Sequence, residues 1–256
     1  MIKQIVLLKE KSRERKKQGL FIAEGQREIG IAVASGYTIQ TLVFEPSILS
    51  ENDVHALFDT SDIQLIEASK PVYEKIAYRN STEGVLAIIK SKPHTLDQLS
   101  FENPNPLILV AEAPEKPGNI GALLRTADAA NIDAVLIANP KTDLYNANII
   151  RSSIGCVFSN KIATGTTTEI IDFLQQKGIN FYGAALKEDS ILYTENDYTA
   201  PTAIVIGTED TGLSDEWLNN TTQNIIIPMQ GKIDSMNLSV AAGILIFEAK
   251  RQRNFN

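Results

Sequence analysis

The sequence predicts an α/β protein in which a parallel-sheet domain follows a smaller α/β unit. Three observations carry this. After residue 106, five almost unbroken apolar runs are separated by helix-like segments, the pattern of a parallel sheet covered on both faces. Before residue 92, shorter strand-like and helix-like segments alternate in the same way. Between the two, residues 91–106 are polar and carry Pro93, Pro104 and Pro106, which marks a boundary. The expected division is 1–92, a linker over 93–105, and 106–256.

In the first unit Leu20-Phe21-Ile22-Ala23 reads as a strand, 26–34 as a helix ending near Gly36, and Thr41-Leu42-Val43-Phe44 as a second strand. Residues 63–66 and 85–89 read as two more, with a helix over 71–77 between them. In the second domain the strands are Leu107-Ile108-Leu109-Val110, Ala134-Val135-Leu136-Ile137, 180–184, Ala203-Ile204-Val205-Ile206 and Ile225-Ile226-Ile227. Helices fall at 119–130, 146–154, 168–176 and 214–218, and a last apolar helix starts near Ser239. Ligands of such sheets sit outside the carboxyl ends of the strands, where every polar loop of interest falls.

Composition narrows the function. At 43% apolar and 21% charged the chain is ordinary globular protein. No apolar run approaches the ~20 residues that cross a bilayer. The basic amino end also lacks the apolar core of a signal peptide, so no membrane partner and a cytoplasmic location are expected. A single cysteine, Cys156, excludes an intramolecular disulfide, and His55 and His94 alone make no His/Cys metal site, so no metal is expected. Cys156, between Gly155 and Val157, reads as a buried structural thiol. A net charge of −7 argues against a polyanionic partner. Yet Lys3, Lys9, Lys11, Arg13, Arg15, Lys16 and Lys17 meet only Glu10 and Glu14, and the chain closes on Lys250-Arg251-Gln252-Arg253. These two gatherings read either as a nucleic-acid footprint or as a solvated helix face and a tail.

Three loops could carry chemistry. In Pro117-Gly118-Asn119-Ile120-Gly121-Ala122-Leu123-Leu124-Arg125, a 100° repeat puts Ile120, Leu123, Ala127 and Ala130 on one stripe and Arg125 nearly opposite. Arg125 is thus either a solvated arginine or a site residue, and the Gly118-Asn119 turn reads as a helix cap. In Gly207-Thr208-Glu209-Asp210-Thr211-Gly212-Leu213, Gly207 admits close approach to the backbone. The pattern is neither a dinucleotide fingerprint nor a P-loop. Glu209 reads as a general base, a ligand-orienting carboxylate or an exposed loop carboxylate. The third stretch runs from Ile227 through Pro228-Met229-Gln230-Gly231 to Ser235-Met236-Asn237-Leu238-Ser239, a polar loop opening a helix. It reads as a ligand-binding loop or a simple connection.

Together, in this order and spacing, these loops resemble the SpoU/TrmH family of RNA ribose 2′-O-methyltransferases over roughly residues 105–253. Arg151-Ser152-Ser153-Ile154-Gly155 resembles that family's intermediate motif. The amino-terminal unit, with Phe21-Ile22-Ala23-Glu24-Gly25, more weakly resembles a substrate-binding domain similar to ribosomal protein L30e. The resemblance implies a methyltransferase domain with a C-terminal deep trefoil knot, preceded by a small L30e-like α/β domain. Spacing alone would never propose a knot, because threaded connections are nearly absent from proteins. It further implies S-adenosyl-L-methionine held by Gly207, Ile227 and Met236, with Thr208, Met229 and Ser239 beside them. Where relatives carry Ser-Leu-Asn-Val-Ser, this chain has Ser235-Met236-Asn237-Leu238-Ser239, two apolar exchanges that leave backbone recognition intact. Arg125 is implied as the residue that activates the hydroxyl or orients the RNA, with Asn119, Glu209, Ser235 and Asn237 completing the polar site. A guanidinium is a poor proton acceptor, which favours its importance over any one role. A homodimer is implied, with Val240, Ile244 and Phe247 at its interface. The substrate implied is RNA, foremost ribosomal RNA; a transfer RNA or a non-catalytic RNA-binding role are the alternatives.

Overall fold

The structure, a computed structural model, describes residues 1–78, 83–208, 210–233 and 235–255. The chain forms two compact units, Met1–Pro93 with Thr142–Ser159, and His94–Lys141 with Asn160–Asn256.

The first unit opens on α1 (Ile2–Glu10) and α2 (Ser12–Gln18), followed by β1 (Leu20–Glu24), α3 (Gln26–Ala34), β2 (Ile39–Phe44), α4 (Glu51–Leu57), β3 (Gln64–Glu67), α5 (Lys70–Ile76) and β4 (Val85–Lys90). Gly19, left-handed at φ 63°, stops α2, and a Ser50/Asp53 capping box starts α4. The sheet order is β1-β4-β2-β3, with only the β2–β3 pair parallel. On one face Ile5, Leu8, Ile22, Val43, Tyr73, Ile76 and Ile88 form a buried core.

The chain then passes through β5 (Leu107–Glu112), α6 (Pro117–Ala129) and β6 (Ala134–Ala138) of the second unit. It returns to the first unit as α7 (Ala147–Ser152) and α8 (Cys156–Ser159). This insertion is held by ring stacking and by a charged pair. Phe21 stacks on Tyr145 at 4.2 Å and on Phe158 at 5.6 Å between ring centroids. The buried Arg15 guanidinium donates to Asp143 from Nε (3.0 Å) and Nη2 (2.5 Å) and to the Leu8 carbonyl from Nη1 (2.7 Å). Sequence reading assigns 142–159 wholly to the second domain, because the apolar runs around it carry no sign of which unit they cover.

The second unit continues with β7 (Ile162–Gly165), α9 (Thr167–Gln176), β8 (Asn180–Ala184), β9 (Ile191–Leu192), β10 (Thr202–Ile206), α10 (Asp215–Leu218), β11 (Gln223–Ile226) and α11 (Leu238–Gln252). Among the described residues its seven strands are all parallel, in the order β7-β6-β5-β10-β8-β11-β9. The α/β parallel architecture expected from the unbroken apolar runs is therefore present. β5, β6 and β10 are buried along their whole length, as strands covered on both faces must be.

Several local expectations change. The stretch expected as a linker lies along the second unit: a 3₁₀ turn spans Leu96–Gln98, Leu99 enters the core, and the His94 carbonyl accepts from Thr164 N–H at 2.8 Å. The helix expected over 146–154 is present as α7 but stops at Ser152, before the left-handed Ile154 (φ 55°) and Gly155 (φ 83°), and the short α8 follows outside the expected range. Cys156 is half-buried, not buried. The strand expected over 225–227 ends at Ile226. No described helix is long and apolar enough to cross a membrane.

The two basic gatherings also divide. Lys11, Arg13, Lys16 and Lys17 are exposed, whereas Arg15 is committed to Asp143 and Lys9 Nζ donates to the Ile76 and Ala77 carbonyls at 3.2 Å. At the carboxyl end Lys250 is buried and Arg251 pairs with Glu248 at 2.7 Å. Arg253 donates to the carbonyls of Tyr198 (2.7 Å), Ala200 (2.6 Å) and Asn105. That end of the chain is a structural clamp, with Arg253 pulled below the ordinary guanidinium value by burial, and not a free basic surface.

Candidate active site

The candidate loops leave the carboxyl ends of β5, β10 and β11. Pairing of Ile206 with Ala111 sets the exit of β10 beside that of β5. After β5 the chain turns sharply at Ala113, whose φ of 43° is unusual for a residue with a Cβ, and its N–H donates to the Ala138 carbonyl at 2.8 Å. α6 then begins with Pro117 at its first turn, where a missing N–H costs nothing. The Gly118-Asn119 pair lies inside that turn, and the cap position belongs to Lys116.

Along α6 the stripe is as the repeat predicts: Ile120, Leu123, Ala127 and Ala130 are buried and Arg125 is exposed. Arg125 has no ion-pair partner among the described residues. α11 packs on α6, with Gly243 facing Thr126 closely enough that an added Cβ would lie 3.8 Å from its methyl. At its start Asn237 accepts from Ser239 N–H (2.9 Å) and Oγ (2.6 Å), capping the helix, while its Nδ2 donates to Asn119 Oδ1 at 3.3 Å. The first and third candidate loops are thereby joined through Asn119 and Asn237. Ser235 is exposed, with no hydrogen bond to either asparagine among the described residues.

The loop after β10 is closed on itself. Thr208 and Gly212 exchange backbone hydrogen bonds at 3.0 and 3.2 Å, and Thr208 Oγ1 meets Thr211 Oγ1 at 2.8 Å. Gly207 faces this closure so tightly that a Cβ there would fall 2.1 Å from the Gly212 carbonyl carbon, so no other residue fits. Glu209 lies outside the described residues. Ile227, Met229 and Met236 are half-buried. Among the described residues, none of their peptide groups enters a backbone hydrogen bond outside the regular elements. Half-buried apolar side chains beside such peptide groups suit a ligand with an aromatic ring and polar edges, as the adenosine of S-adenosylmethionine has.

One residue at this end of the sheet escapes the sequence reading. Glu112, the buried last residue of β5, accepts from Ser214 N–H (2.8 Å), Ser214 Oγ (2.7 Å) and Thr167 Oγ1 (3.3 Å), and Asn139 Nδ2 donates to that same Thr167 oxygen at 2.9 Å. The only sign of it in the sequence is an acid closing an otherwise apolar run, Leu107-Ile108-Leu109-Val110-Ala111-Glu112.

Comparison with known proteins decides the family. The profile of the SpoU rRNA Methylase family matches residues 106–247, and that of the MRM3-like substrate binding domain matches residues 1–87. The chain belongs to the SpoU rRNA methylase family. A 23S rRNA (guanosine-2′-O-)-methyltransferase of Shewanella oneidensis is 32% identical over 72% of this chain and 77% of its own. A 23S rRNA (uridine(2479)-2′-O)-methyltransferase of Streptomyces viridochromogenes is 28% identical over 94% and 85%. The crystal structure of an AdoMet-bound rRNA methyltransferase from Sinorhizobium meliloti superposes with a TM-score of 0.88 at 28% identity, covering 98% of this chain and 94% of that one. Among SpoU relatives, then, full-length resemblance extends to proteins named for 23S rRNA and to a structure holding the methyl donor.

Proposed function

We infer that this SpoU protein is an S-adenosylmethionine-dependent RNA methyltransferase that methylates a ribose 2′-hydroxyl of ribosomal RNA. The observation that supports it is that the Asn119/Arg125 helix, the Gly207 loop and the 227–239 loop follow β5, β10 and β11 of one parallel sheet, the first and third joined by the Asn237–Asn119 hydrogen bond, in a chain whose relatives are named for this reaction. Gly207, Ile227 and Met236 would hold the cofactor mainly through backbone groups, with Thr208, Met229 and Ser239 around them. Bound there, S-adenosylmethionine supplies an electrophilic methyl on a sulfonium.

The chain's own work is positioning. Arg125, exposed and without an ion-pair partner among the described residues, would take a phosphate or the ribose edge and set the 2′-oxygen in line with the methyl. Loss of the hydroxyl proton needs an acceptor within hydrogen-bond reach, and a guanidinium is poorly suited to accept it. Asn119 and Asn237 orient one another and offer amide oxygens and N–H groups to the ribose. Glu209 and Ser235 belong to the same proposed set, as carboxylate and hydroxyl of the flanking loops.

The deep trefoil knot is part of this reading. It is supported by the position of β11 between β8 and β9 and by α11 returning to pack on α6, β5 and β10. The first unit, residues 1–92 in the proposed division, would be the L30e-like substrate-binding domain and present Lys11, Arg13, Lys16 and Lys17 to RNA. Val240 and Phe247, at 52% and 43% exposure on α11, leave an apolar stripe that a second copy would cover in a homodimer. The test is methyl transfer from labelled S-adenosylmethionine to bulk RNA. Label in the large ribosomal RNA fraction is expected, and label confined to transfer RNA would redirect the assignment.

A further inference from the structure

We propose that Glu112 is the positioning residue of the cofactor loop, fixing the far foot of the 207–214 excursion against the central strand. This rests on the reading that this loop holds S-adenosylmethionine. The loop has two feet. One is the end of β10, bonded into the sheet beside β5. The other is Leu213-Ser214, where the Leu213 side chain enters the core and Ser214 spends both its N–H and its hydroxyl on the Glu112 carboxylate. Leu213 sets the depth of that foot, but apolar packing is not directional. The two hydrogen bonds from Ser214, one to each carboxylate oxygen, set its orientation.

Between the feet, Thr208, Thr211 and Gly212 bond to one another, so these three residues are tied into a block whose tilt would follow Ser214. Since a Cβ at Gly207 would meet Gly212 at once, there is no slack within the block to absorb a tilt. A shift at Ser214 therefore reaches the peptide groups of Gly207. The carboxylate's further bond from Thr167, itself held by Asn139, fixes the carboxylate and not the loop, so it ranks below the Ser214 bonds.

Glu112→Gln keeps the size but places an amide N–H₂ or a single acceptor where two acceptors now serve Ser214. We expect its Kd for S-adenosylmethionine, by calorimetry, to rise about ten-fold, the effect of one charge-assisted hydrogen bond. KM for the cofactor should rise with it, while kcat at saturating cofactor and affinity for RNA stay near wild type. Ser214→Ala keeps the N–H bond and should raise Kd by about two- to three-fold, whereas Thr167→Ala should leave it unchanged. If Glu112→Gln does not fold, Ser214→Ala, at an exposed position, carries the test alone. Unchanged cofactor affinity in the folded variants, even with a lowered melting temperature, overturns the proposal by reducing Glu112 to fold support. An equal effect of Thr167→Ala overturns it too. A wild-type protein that does not bind S-adenosylmethionine would instead remove the cofactor reading on which the proposal stands.

Discussion

Replacing Asp143 by Ala strands the Arg15 guanidinium inside the first unit. Arg15 is 5% exposed and gives two of its hydrogen bonds to Asp143, whose side chain is 10% exposed. Its other bonds, to the Leu8 and Lys9 carbonyls, remain in the variant but neutralise no charge. Removing one partner of such a pair costs about 3–5 kcal/mol. Because part of the donor set stays satisfied, we take about 3 kcal/mol, a fall of about 6–12 °C in melting temperature for a chain of this size. Burial opposes the charge of Asp143, but hydrogen bonds from Arg15 and Ser12 and the charge of Arg15 overcome it, so its carboxyl lies below the ordinary value. A carboxyl depressed on folding stabilises above its unfolded value of about 3.9 and loses that contribution as the pH falls through its folded value. The gap between wild type and variant should therefore be full near neutrality and close in acid below about pH 4. Scanning calorimetry at several pH values measures both. A fall of less than about 2 °C at pH 7, or a gap that does not narrow in acid, would refute the claim that 142–159 is built into the amino-terminal unit through a charged pair.

Three further outcomes follow from the geometry. Gly207→Ala should weaken S-adenosylmethionine binding by about ten-fold or more, since a Cβ 2.1 Å from Gly212 forces the loop backbone to move; calorimetry reads it. Changing Lys11, Arg13, Lys16 and Lys17 to Gln should weaken RNA binding and flatten its salt dependence, by about 0.7 in log–log slope for each phosphate no longer engaged. Lys9 and Arg15 must be left alone in that experiment because their charges hold the unit together, and unchanged affinity of the fourfold variant would end the role of this surface. Phe247→Glu with Val240→Glu should yield a monomer by light scattering if the exposed stripe of α11 is a dimer face, and an unaltered mass would place the interface elsewhere.

The fold is legible in the sequence wherever burial imposes a pattern. Runs such as Leu107-Ile108-Leu109-Val110 and Ala203-Ile204-Val205-Ile206 have one physical meaning, and α6 between them declares itself by its apolar stripe, though not by its cap. Short edge elements are not legible: β9 is only Ile191-Leu192, too brief for any period to show. The allegiance of α7 and α8 is hidden because Arg15–Asp143 and Phe21–Tyr145 pair residues more than a hundred positions apart. Arg125 is visible as a charged, exposed position opposite the apolar stripe of its helix, whereas the site role proposed for it comes from family resemblance. Asn237 reads in sequence as one more loop amide, and only the structure gives it both the helix cap and the bond to Asn119. Glu112 escapes notice because a buried acid is recognised by its donors, and Ser214 lies 102 residues away.

The central claim is that this chain methylates ribosomal RNA at a ribose 2′-oxygen with Arg125 at the reacting end. The most direct measurement incubates unmodified large ribosomal RNA with labelled S-adenosylmethionine and either wild type or Arg125→Ala, digests with alkali, and counts label in alkali-resistant dinucleotides. Wild type should place label there, and the variant, folded normally because Arg125 is exposed, should transfer it at least about a hundred-fold more slowly. Label appearing only in alkali-released mononucleotides, or equal transfer by both proteins, would contradict the account.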